Sequence, residues 1–247
     1  MNVLAVGTAH TEFLNSADIV QLPGTSGVTT QVTFSTNMPS PALGSVLGYA
    51  LGGKPVQSRL TIASVDINSN RVLRGAVVQT NVQEIDLPVA NAVSRTGTSF
   101  VVKLFPSVSR DVPATLATTA MFRPVRVLMS DAFKLAIDSV SGSGVVSVSP
   151  IIVTFPGNEK YPGSAQVSPI VVRVQESRIG DFQKWLSSGA MRNGTLEFLG
   201  PDMRSILLTI QLRGMKITRI ATAATGSVQM SDVSISITAV NVAEWKG

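Results

Sequence analysis

Cysteine is absent from this 247-residue chain, and its absence removes disulfide frameworks, thiolate metal sites and cysteine nucleophiles. Stability must then come from packing and association. There is one histidine, His10, between Ala9 and Thr11, so a zinc site or a Ser-His-Asp triad would have to be built around a single imidazole near the N-terminus. Charge is scarce as well: Asp, Glu, Lys and Arg make up 14% of the residues, against roughly 25% in an ordinary soluble domain. The hydrophobic share of 44% is close to normal, so the deficit lies in solvating charge. A monomer needs charge to keep its surface soluble, and a chain without it is expected to bury much of that surface against other subunits.

Long apolar runs are missing too, although the mean hydropathy is +0.30. A membrane-spanning helix needs about 20 continuous apolar residues. The longest uncharged stretch, Ile19 to Gly53, is interrupted by Pro23, Gly24, Gly27, Asn37, Pro39 and Pro41, so no membrane insertion is expected. Met1-Asn2-Val3-Leu4-Ala5 lacks the basic start and apolar core of a secretory signal, and cytoplasmic synthesis is the expectation. No G-x-G-x-x-G opens a helix after a strand, and there is neither a phosphate-binding G-x-x-x-x-G-K-[ST] loop nor a G-x-S-x-G elbow. Ser141-Gly142-Ser143-Gly144 reads as a flexible turn. Glu84 and Asp86, two apart on a strand, share a face and serve to solvate it. No catalytic residue, cofactor or metal is expected, and the chain is read as a non-enzyme.

The formal charge is +5. Residues 1–120 hold seven Lys/Arg against six Asp/Glu, net +1, and residues 121–247 hold thirteen against nine, net +4. The basic residues are spaced singly through strand-like segments. A dedicated nucleic-acid binder concentrates them on one face or arm, so specific base readout is not expected, and only loose contact with a phosphate backbone stays open.

Period-two and β-branched runs dominate what is present, which makes the chain mainly β. Strands are predicted at Thr30–Ser35, Arg59–Val65, Val72–Ile85, Ser99–Pro106, Phe133–Val140, Val145–Phe155, Pro169–Gln175, Thr195–Leu199, Ile206–Ile220 and Val228–Val242. Two segments carry helical spacing instead, Pro41–Leu51 and Ser177–Ser188. In the second, Ile179, Phe182, Trp185 and Leu186 share one face, and Gly52-Gly53 and Gly189 stand where helix C-caps belong.

Each helix has the same neighbours. One strand precedes it, then come a short strand, a turn, a long apolar segment carrying Leu73-Arg74-Gly75 or Leu212-Arg213-Gly214, and a closing strand. A constant offset pairs Tyr49 with Trp185, Gly53 with Gly189 and Asp66 with Asp202, with a slip of a few residues at the shared Leu-Arg-Gly. The chain therefore reads as a duplication, residues 1–116 and 117–247, joined near Pro113–Pro124 where proline and small residues interrupt the strand pattern.

The C-terminal unit, SPIVVRVQESRIGDFQKWLSSG through GTLEFLGPDMRSILLTIQLRGMKITRIA to SVQMSDVSISITAVNVAEW, resembles the phage tail-tube superfamily, to which the hemolysin-coregulated protein of type VI secretion is related. The resemblance covers roughly 100 residues and extends more faintly to the N-terminal half. It implies two tandem tube-like β-barrels, each with one short helix, in rings that stack into a hollow conduit for DNA or an effector protein. A chain with two such units would fill six barrel positions with three copies, a trimer with pseudo-sixfold symmetry. Implied partners are the chain itself, sheath, terminator or baseplate proteins, and non-specific double-stranded DNA in transit; the implied place is a virion tail assembled in the host cytoplasm.

Within that reading Arg74, Gln79, Gln211 and Arg213 are the lumen-facing candidates. The segments Leu22–Thr30 and Phe155–Ser168 are the ring-stacking loops, since Leu22-Pro23-Gly24 and Phe155-Pro156-Gly157 begin both with an apolar residue, proline and glycine. Two other readings remain open: a tail terminator or baseplate hub on the same fold, and a β-sandwich capsid or binding module, which would show no internal duplication.

Overall fold

The computed structural model describes residues 2–6, 10–24, 27–37, 41–56, 59–66, 68–69, 71–108, 127–225 and 228–245. The expected join at Pro113–Pro124, and with it the 116/117 boundary, lies outside the described residues. The chain is mainly β with two short helices. Its N-terminal half holds β1 (Asn2–Val6), β2 (His10–Leu14), β3 (Ser16–Gly24), β4 (Gly27–Thr36), α1 (Pro41–Leu51), β5 (Leu60–Asp66) and β6 (Arg71–Val78). It continues with β7 (Val82–Asp86), β8 (Ala90–Asn91), β9 (Phe100–Leu104) and β10 (Ser107–Val108). The C-terminal half holds β11 (Phe133–Ile137), β12 (Val145–Val148), β13 (Ile152–Thr154), β14 (Gln166–Val167), β15 (Ile170–Gln175) and α2 (Gly180–Ser188). It ends with β16 (Arg192–Leu199), β17 (Ile206–Thr225), β18 (Val228–Ser236) and β19 (Ala239–Trp245).

The two halves repeat one pairing plan. In the first, β1 pairs β5, β5 pairs β6, β4 lies between β3 and β9, and β7 lies on the far side of β9. In the second, β11 pairs β16, β16 pairs β17, β15 lies between β12 and β18, and the distal part of β17 lies on the far side of β18. Thus β6 and β7 together correspond to the single long β17. Even the irregularities coincide: the register shifts between Val82 and Glu84 against β9, and between Ile217 and Arg219 against β18. These bulges make Val82 the counterpart of Ile217 and Glu84 that of Arg219.

The predicted strand Val72–Ile85 is therefore two strands. Between them Asn81 is buried and its side chain is committed: Oδ1 accepts from Val56 N at 2.8 Å and Nδ2 donates to Glu159 O at 3.2 Å. Satisfying that buried amide pulls the chain out of the ladder. In the second half Gly214, at φ 61, makes the bend without a break, and a Cβ there would meet the Thr238 hydroxyl at 2.4 Å. The shared tripeptides are not equivalent in place. Leu73 is 67% exposed on β6, where the register against β5 shifts between Ser64 and Val65, whereas Leu212 is fully buried on β17 with Gly194 and Val240 beside it in the sheet. Val145–Phe155 is also divided, at Pro150, and Val228–Val242 at Ile237-Thr238. Leu22–Thr30, expected as a loop, belongs to the β3/β4 hairpin, in which Leu22 pairs Thr29.

α1 packs against β19 of the second half and β1 of the first, and α2 packs against β17. In α1, Leu43, Val46, Leu47 and Ala50 are buried, an i, i+3, i+4, i+7 stripe. Gly53 (φ 65) and Gly189 (φ 62) end the helices in the left-handed region, with Gly53 N donating to Ala50 O at 3.0 Å and Gly189 N to Leu186 O at 3.1 Å. A single 3-10 turn, Glu176–Arg178, precedes α2. Ile179, Phe182 and Trp185 are buried, but Leu186 is 40% exposed. The indole fills that end of the contact instead, donating from Nε1 to Ala190 O at 2.7 Å beneath the Arg192 guanidinium.

The hairpins that follow the helices turn on matching aspartates. Asp66 accepts from Ser69 Oγ at 2.7 Å and Asn68 N at 3.1 Å. Asp202 accepts from Ser205 Oγ at 2.7 Å, Ser205 N at 2.9 Å and Arg204 N at 3.1 Å. Donors favour the ionised form, so both carboxyls are held below their ordinary value; that of Asp202 is lowered by the Ser205 hydroxyl and the Ser205 and Arg204 amides to about 2.

The halves also share backbone. β13 pairs β7 and β8 pairs β12, so sheets cross between the halves, and one continuous apolar core includes residues of both.

Replacing Trp185 with alanine removes a buried ring and a satisfied N–H, and is expected to cost about 3–5 kcal/mol in denaturant unfolding. For Asp202→Ala the test is the pH dependence. A carboxyl whose folded pKa is depressed contributes stability that is present above its unfolded value and lost as the pH falls through its folded value. The gap in unfolding midpoint between wild type and variant should hold from neutral pH to the model-compound value of 3.8 and shrink towards about 2; a gap that widens on acidification contradicts the capping role.

Candidate assembly surface

Alternation along the strands separates an inner and an outer face. On β4, Thr30, Val32, Phe34 and Thr36 are buried while Gln31, Thr33 and Ser35 are partly exposed; on β15, Ile170, Val172 and Val174 are buried while Val171, Arg173 and Gln175 face out. Cross-strand register then lines the outer residues into rows. In the first half one row runs Asp18, Thr33, Lys103, Glu84, Thr154, passing from β3 to β13 and hence from one half into the other. The adjoining row runs Ser16, Ser35, Val101, Asp86, Ile152. In the second half the corresponding rows are Arg219, Ser234, Val171 and Ala221, Asp232, Arg173, Ser147.

Charges on this surface are few and mixed. Arg173 holds Asp232 through two bonds, Nε to Oδ1 at 2.8 Å and Nη2 to Oδ2 at 3.0 Å, and the guanidinium keeps that carboxyl below its ordinary value. Asp86 is the opposite case: burial, and then the neighbouring Glu84, push its carboxyl up, and its Oδ1 has no hydrogen-bond partner among the described residues. The sequence expectation that Glu84 and Asp86 share a strand face agrees with this placement.

The four candidate lumen residues lie on β6, on β17 and in the link between β6 and β7. Arg74 is exposed on β6 and donates to the Ile19 carbonyl. Gln79 is exposed in the link between β6 and β7, outside either strand. Gln211 lies on β17 between Thr195 and Asn241, with Asn241 Nδ2 at 3.5 Å from its side-chain oxygen. Arg213 is exposed opposite Ala239. Leu22, Pro23 and Gly24 are the last residues of β3. Phe155 is buried, leaving Pro156 and Gly157 exposed.

The loop after Phe155 is held by its own bonds. Asn158 Oδ1 accepts from Lys160 N and Tyr161 N, both at 2.9 Å, and Gly157 has no room for a side chain, since a Cβ would lie 2.2 Å from Tyr161 O. The result is a shaped projection that presents Tyr161, 74% exposed. Sequence reasoning missed this tyrosine; its signal was Asn158 three residues before it, the spacing of an Asx turn.

Among the described residues no group of three or more His, Cys, Asp and Glu is placed to hold a metal ion. No helix among them is long and apolar enough to cross a membrane.

No family model and no curated protein matches this sequence. Among solved structures, Hcp1 from Flavobacterium johnsoniae is similar over 44% of this chain and 94% of its own, at 13% identity and a TM-score of 0.35. A likeness that distant carries no argument about what the present chain does.

Proposed function

We propose that this chain is a structural subunit that self-assembles into rings stacked as a hollow tube, of the phage tail-tube kind, and that its role is mechanical. The observation that supports this is the repetition: the same pairing plan occurs twice in one chain, and the two copies are joined edge to edge through β7 and β13. Units that continue one another's sheets end to end are suited to closing on themselves, which removes the exposed edges that otherwise aggregate. The low charge content of 14% fits a surface largely spent on neighbouring subunits.

A ring of six unit positions is then filled by three chains. Its axial channel passes double-stranded DNA. The outer-face rows suit a conduit, because Asp18, Glu84 and Asp86 stand with Lys103, and Asp232 with Arg173 and Arg219. Mixed single charges give weak attraction everywhere and no strong hold on a polyanion. The shaped loop at Pro156–Tyr161 belongs to the ring-to-ring contact. On this reading the chain resides in a virion tail assembled in the host cytoplasm, where sheath, terminator and baseplate proteins meet its end faces.

Negative-stain electron microscopy of the purified chain tests the proposal. Hollow tubes or rings with threefold symmetry and six similar lobes are expected. Single rings that never stack would favour a terminator or hub. A ring of six chains, or a monomer at every concentration, overturns it.

A further inference from the structure

The chain contains one complete unit-to-unit junction, and it defines what a second would look like. β7 has β9 on one side and β13 on the other, so the first half receives a strand from the second: Ile152 opposite Asp86, Val153 opposite Ile85, Thr154 opposite Glu84. The counterpart of β7 in the second half is the part of β17 that pairs β18, as the coincident bulges establish. β16 leaves β17 at Met215, and from Lys216 to Thr225 the edge facing away from β18 has no strand partner among the described residues. The second half thus holds an acceptor edge like the one β13 occupies in the first, but empty.

The matching donor lies in the first half. The β12–β13 stretch leads to β15 in the second half as β3 leads to β4 in the first, and β3 and β12 flank β4 and β15 in the same way. Beyond β4, β3 has no strand partner among the described residues. Its outward edge carries the Ile19 carbonyl, taken in the single chain by the Arg74 side chain, and its Val20 is 42% exposed. A long edge with an exposed β-branched residue is a template for pairing.

We infer that the Lys216–Thr225 edge of β17 receives β3 of a second copy of this chain, repeating between chains the junction that β7 and β13 make within one. The inference rests on the self-assembling reading above and adds the surface by which it occurs. Donor and acceptor edges belong to different halves, so the contact is head to tail and propagates around a ring instead of ending in a twofold dimer. The backbone of the two edges supplies the attachment.

The absence of native cysteine makes the contact accessible to cross-linking. Full-length chains carrying Val20→Cys and Ala221→Cys are mixed at assembling concentration and oxidised. A disulfide between the two variants is expected, since residues opposed across an antiparallel pair lie roughly 4.5–5.5 Å apart between Cα atoms, within disulfide reach. Val93→Cys, at an 81% exposed position away from both edges, should link to neither above background. Assembly in which Val20→Cys and Ala221→Cys link no more than the Val93→Cys control overturns this contact while leaving the ring reading intact. A wild-type chain that stays monomeric overturns both.

Discussion

Three residues of β13 laid against β7 are the contact on which the rest of the architecture depends. A strand edge presents unpaired N–H and C=O groups that must be satisfied by something. Here the edge of one half is satisfied by the other: Ile152, Val153 and Thr154 complete β7, while β8 completes β12. With Leu87 N donating to Ile151 O and Phe155 N to Gln83 O, both near 3 Å, the crossing fuses the two units through backbone as well as side chains. One core then runs through both, with Ile85 and Val153 fully buried within it.

Two local devices make that crossing possible. The link between β6 and β7 must leave one sheet and enter another, and the buried Asn81 amide, tied to the helix-to-strand loop at Val56 and to the projecting loop at Glu159, holds it in place. Gly214 performs the corresponding bend in β17 by adopting a backbone angle that a side chain would resist. The helices are secondary in this sense. They cap the open sides of the sheets, but the strands' connectivity determines where the sheet edges fall and thus which surfaces are offered to other molecules.

Much of the fold is written in local pattern. The helix at Pro41–Leu51, the capping glycines, the paired aspartate turns and the burial of Trp185 all follow from neighbours within a few residues, and such rules transfer directly to the structure. Leu186 and Leu73 show where the transfer fails, because one is displaced by the Trp185 indole and the other stands where the β5/β6 register shifts. The candidate surface was harder to read. Arg74, Gln79, Gln211 and Arg213 are polar residues of segments that read as long strands; Arg74 lies on β6, Gln79 in the link that divides β6 from β7, and Gln211 and Arg213 on β17. The rows that do form, such as Asp18 with Thr33, Lys103 and Glu84, join residues far apart in sequence whose alignment is a property of register.

The sequence by itself determined the β class, the place of both helices with the glycines that end them, and the aspartate turns, since each is governed by backbone propensity and short-range hydrogen bonding. Only the tertiary structure decided that the two units are spliced through β7 and β13, that β19 pairs the first part of β17, and that the edge from Lys216 to Thr225 has no strand partner among the described residues. Those outcomes turn on pairing between distant segments. Period-two patterning says that a strand has two faces, but it carries no information about which strand will occupy its edge.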